Sequence, residues 1–198
     1  MLLTSFTKKY IEAGCDEAGR GCLAGPVCAA AVVLPHGYRN DFLTDSKLLL
    51  PEKRELLRKE IEKTALAYSV VLIDNQTIDE INILNATFEA MNQAVLKLKQ
   101  YPELLLIDGN RFLNKTRIPF ECVIKGDQKY LSIAAASVLA KTYRDDYMRS
   151  IHPDHPIYNW YNNKGYPTIE HRRAIAVHGT TPYHRKSFSM GPPFNLFT

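Results

Sequence analysis

Gly14-Cys15-Asp16-Glu17-Ala18-Gly19-Arg20-Gly21, then Cys22-Leu23-Ala24-Gly25-Pro26-Val27 and the apolar run Cys28 to Leu34, decide how this chain is read. Two adjacent carboxylates stand against glycines and one arginine, and an apolar, β-branched run follows. In a regular strand Asp16 and Glu17 point to opposite faces. Both reach one site only if the strand ends or bends here, which Gly19 and Gly21 allow. Those glycines also let backbone N–H groups approach a ligand closely, and Arg20 supplies a charge suited to phosphate. The stretch reads as a metal-and-phosphate site at the mouth of a sheet. The alternative is a surface hairpin with charges on its tip.

Outward from that stretch, 198 residues suffice for one domain, with or without an appendage, and a substantial core. A hydrophobic share of 45% with 23% charged residues fits an ordinary soluble globular protein. Cys15, Cys22, Cys28 and Cys122 show no C-x-x-C pairing. Neither zinc nor a disulfide framework is indicated, and a reducing cytoplasm is the simplest setting. Met1 to Tyr10 gives no signal peptide, and the longest apolar run is far too short to span a bilayer, so no membrane association is expected. The net charge of +4 is unevenly placed. Residues 1–140 hold 17 basic and 17 acidic residues, whereas residues 141–198 hold 8 and 4, with five of the six histidines. A basic C-terminal third on a balanced body points to an anionic partner, nucleic acid being the commonest; a solvated surface is the plainer alternative.

Residues 10–17 and 27–34 read as two buried strands joined by the glycine-rich turn. Asp45-Ser46-Lys47 follows in a polar loop. Pro51 then opens a helix striped by Leu57 and Ile61. Residues 65–73 make a third strand. Leu84, Phe88, Met91, Val95 and Leu98 follow the 4-3-4-3 spacing of one buried helical face. Leu104 to Ile107 is a strand running into Asp108-Gly109-Asn110, and Phe120 to Ile124 a strand ending at Lys125-Gly126-Asp127. From Gln128 to about Arg149 the chain is alanine-rich and helical, with Ile133, Ala134, Val138 and Lys141 on one side and Asp127 where an N-cap belongs. His152 and His155, flanked by prolines, read as structural. A last helix spans about Thr168 to Val177, ahead of a Pro-rich tail. The fold class is mixed α/β, with carboxylates at strand ends, where open α/β sheets bind ligands.

Asp16, Glu17, Asp108 and Asp127 thus fall at strand ends or helix starts rather than on amphipathic surface faces. Four carboxylates brought together repel unless a cation neutralises them. An all-oxygen set without His or Cys selects Mg²⁺ or Mn²⁺. Two such ions about 3.5–4 Å apart can clamp the attacking and leaving oxygens of a phosphoryl displacement. Taken singly, Asp127 also suits a helix cap and Asp108 a turn beside Gly109. Recurrence of the same strand-end placement favours a shared site.

These residues also carry a resemblance. Asp16-Glu17-Ala18-Gly19-Arg20-Gly21 with Leu23-Ala24-Gly25-Pro26-Val27 resembles the opening motif of ribonuclease HII, the type 2 ribonucleases H. So do Asp45-Ser46-Lys47, Ile107-Asp108-Gly109-Asn110 and Lys125-Gly126-Asp127. Ala134-Ala135-Ala136-Ser137 to Ala140-Lys141, Lys164-Gly165-Tyr166-Pro167-Thr168 with His171, and His184-Arg185 with Ser187-Phe188 continue in family order to residue 188. Cys22 stands where many members have Pro.

The resemblance implies a ribonuclease H-like mixed sheet flanked by helices, with a helical C-terminal extension. One catalytic domain would cover 1–188 and a Pro-rich tail 189–198. It implies an endonuclease that hydrolyses the RNA strand of RNA–DNA hybrids and cuts 5′ of single ribonucleotides in duplex DNA, as in ribonucleotide excision repair. Two-metal-ion hydrolysis would leave 3′-hydroxyl and 5′-phosphate ends. Asp16, Glu17, Asp108 and Asp127 then hold Mn²⁺ or Mg²⁺. Gly19-Arg20-Gly21 reads the 2′-hydroxyl, the group that separates RNA from DNA. Tyr166 lies against the sugar of the next deoxynucleotide, and Ser46, Lys47 and Lys141 contact the backbone. A cytoplasmic monomer is expected.

A nucleotide-binding enzyme fits less well, because the glycines miss the G-x-G-x-x-G spacing and no Walker A sequence occurs. A non-catalytic nucleic-acid binder leaves four carboxylates unexplained, since unpaired acids repel a polyanion. Integrase-like nucleases lack Gly19-Arg20-Gly21 with Tyr166, and ribonuclease HIII normally carries an extra N-terminal domain. In the tail, Asn195-Leu196-Phe197 resembles the C-terminal peptides that bacterial repair proteins dock into the DNA sliding clamp, with Pro193 and Phe194 in place of the usual leading Gln-Leu. The alternative is that these apolar residues fold back onto the domain.

Overall fold

β1 (Glu12–Ala18) is the middle strand of a five-stranded mixed sheet. It pairs antiparallel with β2 (Val27–Val33), which pairs antiparallel with β3 (Ala67–Ile73). On its other side β1 pairs parallel with β4 (Leu104–Asp108), and β4 parallel with β5 (Phe120–Val123). All seven residues of β2 are buried, as an unbroken Val-Cys-Ala-Ala-Ala-Val-Val run requires of a strand covered on both faces. The structure is a computed structural model that describes residues 2–43, 46 and 49–190. Asp45, Lys47 and the tail from Gly191 therefore lie outside the described residues.

α3 (Leu131–Ser150) covers one face of the sheet and α2 (Asn75–Leu96) the other. Alternation along β1 sorts its residues between them. Ala18, with Cys28, Ala30 and Val32, packs on Ala134, Ala135, Val138 and Leu139. Ala13 and Cys15, with Ala29 and Ala31, pack on Ala90, Met91, Ala94 and Val95. α1 (Pro51–Thr64), opened by Pro51 as expected, adds Leu57 and Ile61 to the α3 side. Gly14 explains how closely α3 lies: a Cβ there would stand 2.2 Å from the carbonyl carbon of Ser132. No helix among the described residues is long and apolar enough to cross a membrane.

Three local expectations change. β1 runs through both Asp16 and Glu17 and stops one residue later, at Ala18. Asp127 does not cap α3: it lies in a 3-10 turn, Gly126–Gln128, and the N-cap residue is Tyr130. The amides of Lys129 and Tyr130 bond back to Gly126 O at 2.9 and 2.8 Å, which tightens the turn ahead of the helix. In α2 the buried face is Ala86, Thr87, Ala90, Met91, Ala94 and Val95, with Leu84, Phe88 and Leu98 only half-buried, because small residues let the helix settle on the sheet. Asn82 breaks that helix at φ 64°, its Oδ1 accepting from the amides of Leu84 and Asn85. C-terminal to α3, α4 (Trp160–Asn163) and α5 (Ile169–His178) build a separate apolar cluster with Leu23, Ala24 and Met148.

Candidate active site

The C-terminal end of β1 opens into a cavity of about 490 Å³. Asp16 and Glu17, Gly19 to Gly21, Ser46, Ile83, Asp108, Lys141 and Tyr166 line it. Asp16 and Glu17 come from β1, Asp108 from the end of the neighbouring β4, and Ile83 from just past the break in α2. Of the two expected alternatives, a strand end or a bend, the strand ends: β1 stops at Ala18, and both adjacent carboxylates line one cavity.

Beyond β1 the chain turns at Gly19 with φ +91°, and a Cβ there would stand 1.9 Å from Arg144 Nε. The glycine loop is held from inside by two fully buried arginines. Arg185 donates to the carbonyls of Gly19 and Arg20 at 2.8 Å each and of Gly25 and Pro26 at 3.0 Å. Across a trans peptide the C=O and N–H point in opposite directions, and no peptide here is cis. By drawing in the carbonyls of Gly19 and Arg20, Arg185 turns the amides of Arg20 and Gly21 away from itself. Burial lowers Arg185 to about 10, which leaves it charged at neutral pH. Gly25 N and Arg185 N bond to Tyr183 O and Leu23 O at 2.9 and 2.8 Å, so the loop is also stitched to the 183–185 segment.

The carboxylates are held by protein donors. Asp16 accepts from the Glu17 amide at 2.7 Å and from the Ser137 hydroxyl, which is itself 2.9 Å from Ser46 Oγ. Glu17 pairs with Arg20 at 3.3 Å, and Asp108 accepts from the Gly126 amide at 2.7 Å. Burial, with the Glu17 and Asp108 charges close by, holds the Asp16 carboxyl well above the usual carboxylate range. Asp127, buried, follows Gly126 directly and so stands next to the Asp108 anchor rather than on the cavity wall. Among the described residues, no three carboxylate, imidazole or thiol groups stand together at metal-ligand spacing. The donor set still suits a hard cation: oxygen ligands only, with a mutual repulsion that a positive charge relieves.

Tyr166 lines the same cavity. Its hydroxyl meets the Cys22 thiol, and burial pushes it up to about 12. Lys141 Nζ and Arg144 Cζ lie 5.3 and 5.6 Å from its ring centroid. Lys141 pairs with Asp145 at 2.7 Å, as does Arg54 at 3.4 Å; Arg54 also binds the carbonyls of Ser46 and Leu49, fixing Ser46. Behind Tyr166 lie two buried histidines. Thr181 N–H donates to His184 Nδ1, so the neutral ring carries its proton on Nε2 and donates to His171 Nε2 at 3.2 Å. His171 Nδ1–H then donates to Tyr166 O at 2.9 Å. Burial drives His184 down to about 4 and lowers His171 as well, which keeps both neutral.

Arg144 and Arg185 were not singled out for any role by the sequence, although Arg185 falls within a family motif. A buried arginine looks like any surface charge until its acceptors, most of them here more than a hundred positions away, are known. Ile83 was missed for want of any signal for the Asn82 break.

Comparison with known proteins settles the family. Residues 13–190 match the family model described as Ribonuclease HII. The chain belongs to the ribonuclease HII family. A ribonuclease HII of Bacteroides thetaiotaomicron is 60% identical over 190 residues, 96% of this chain and 95% of that one. Among solved structures, the ribonuclease HII of Archaeoglobus fulgidus, determined in complex with PCNA, superimposes with a TM-score of 0.76 at 25% identity, covering 90% of this chain and 95% of that one. Ribonuclease H2 from Pyrococcus horikoshii OT3 shares the fold at a TM-score of 0.74 and 24% identity, over 90% and 94% of the two chains. As a ribonuclease HII family member the chain is a ribonuclease H-type hydrolase acting on RNA in RNA–DNA hybrids.

Proposed function

We propose that this ribonuclease HII incises duplex DNA 5′ of a single embedded ribonucleotide, besides cutting longer hybrids, and leaves 3′-hydroxyl and 5′-phosphate ends. One observation carries the reading: Asp16, Glu17 and Asp108 share a cavity with the glycine loop and Tyr166. The amides of Arg20 and Gly21, aimed by Arg185, suit an oxygen acceptor such as a 2′-hydroxyl or phosphate. Tyr166 offers a flat, half-buried ring for the sugar of the following deoxynucleotide. Ser46 and Lys141 flank the path of the backbone, with Lys47 next to Ser46 in sequence.

Asp16, Glu17, Asp108 and Asp127 would hold Mn²⁺ or Mg²⁺, and Glu17 must then release Arg20, whose guanidinium is thereby freed for a phosphate. Two bound ions supply positive charge to the attacking and leaving oxygens. The catalytic unit is residues 1–188. Four free cysteines among the described residues suit a reducing cytoplasm, and repair of misincorporated ribonucleotides is the role. The test is product mapping on a duplex with one ribonucleotide. A cut on its 5′ side that chelator abolishes is expected; a cut on the 3′ side, or one that persists in chelator, refutes the reading.

A second reading concerns the tail. The Archaeoglobus relative was solved in complex with PCNA, and Asn195-Leu196-Phe197 in the tail carries two adjacent apolar anchors. We take the tail as a ligand of the bacterial clamp.

A further inference from the structure

Arg144 joins the two recognition elements. Its guanidinium donates to Pro26 O at 2.9 Å and Ala24 O at 3.1 Å in the glycine segment, and to Lys164 O at 2.9 Å, two residues before Tyr166. It is fully buried, and each of these acceptors is a backbone carbonyl. An apolar side chain would fill such a volume without the cost of burying a charge. A planar fork, however, holds three carbonyls from two segments in one fixed arrangement, which neither an apolar group nor a lysine can do. Leu23 N, bonded to Gly165 O at 2.8 Å, makes a further link between the same segments. A ribose 2′-hydroxyl and the next sugar are one phosphate apart, so their two readers must keep a fixed spacing. Resting on the roles given above to the glycine loop and Tyr166, we propose that Arg144 is a positioning residue that sets this spacing, and thereby the preference for an RNA–DNA junction over continuous RNA.

Arg144→Lys keeps the charge and removes the fork. Gly165→Ala disturbs the same spacing while leaving the Arg144 side chain in place, since its Cβ would stand 2.6 Å from Ala24 O, one of the Arg144 acceptors, at φ +80°. The readout is the ratio of kcat/KM on a single-ribonucleotide duplex to that on a long hybrid, with melting checked for each variant. The expected result is a fall of about tenfold in that ratio for both variants, and no further fall when Arg144→Lys is added to Tyr166→Ala. If Arg144→Lys fails to fold, Gly165→Ala decides. A Tyr166→Ala ratio equal to the wild-type value overturns the role of Tyr166 itself. A reduced Tyr166→Ala ratio with unchanged ratios in the folded spacing variants overturns only the role of Arg144.

Discussion

Asp16 is the residue whose chemistry is most constrained by its surroundings. Its carboxyl is raised by burial and by the Glu17 and Asp108 charges. A raised carboxyl favours folding below its unfolded pKa, and that contribution is lost as pH rises through the folded value. Asp16→Asn removes the repulsion while keeping the shape. In chelator, the variant is therefore expected to melt at or above wild type at pH 7–8, with the difference shrinking toward pH 4. Its cleavage in Mg²⁺ and in Mn²⁺ should fall by about 10³-fold. Near-normal turnover in either ion would remove Asp16 from the ligand set. His184 carries the opposite sign. Its folded value near 4 lies below the ordinary 6.5, so the stability it contributes is present above 6.5 and is lost as pH falls toward 4. Urea denaturation across pH 7 to 4 should show this loss at no more than one proton's slope, about 1.4 kcal/mol per pH unit. Nitrogen NMR should find His184 protonated on Nε2 and His171 on Nδ1 throughout the neutral range. Either ring in the other tautomer would break the chain of donors to Tyr166 O.

At the level of elements, the seating of α3 on β1 positions Ser137 over Asp16. Gly14→Ala places a methyl against the backbone of Ser132 and should cost about 3 kcal/mol of stability, read from the denaturant midpoint. A smaller loss, under about 1 kcal/mol, would mean that the helix can shift and that its close approach is not required. Much of this level was legible in the chain. Glycine and alanine at the β1–α3 contact, Pro51 at a helix start and a wholly apolar β2 are signals written within a few residues of one another. The Asn82 break and the turn around Asp127 were not, because each depends on backbone bonds that compete with an otherwise helical pattern. The carboxylates at strand ends could be found from sequence; what aims the glycine loop could not, since Arg185 and Gly19 lie 166 positions apart.

For the molecule as a whole, the basic C-terminal third proves to be partly interior: Arg144 and Arg185 are buried there together with Asp145, so only part of that third's charge faces a polyanion. Deleting residues 192–198 should leave melting and naked-duplex cleavage unchanged while abolishing binding to the clamp, for which the intact chain should show affinity in the micromolar range, on the order of −8 kcal/mol. A large fall in melting temperature on truncation, or no measurable affinity in the intact protein, would leave the apolar tail as a cover for the domain. The hydrogen bonds from Arg185 to Gly19 and Arg20 have a consequence for biosynthesis. The ribosome makes Gly19 166 residues before Arg185, so a nascent chain carries its carboxylates and its glycines long before the loop can be set. The glycine loop of the nuclease therefore takes its set only once the 183–185 segment has been made and has docked.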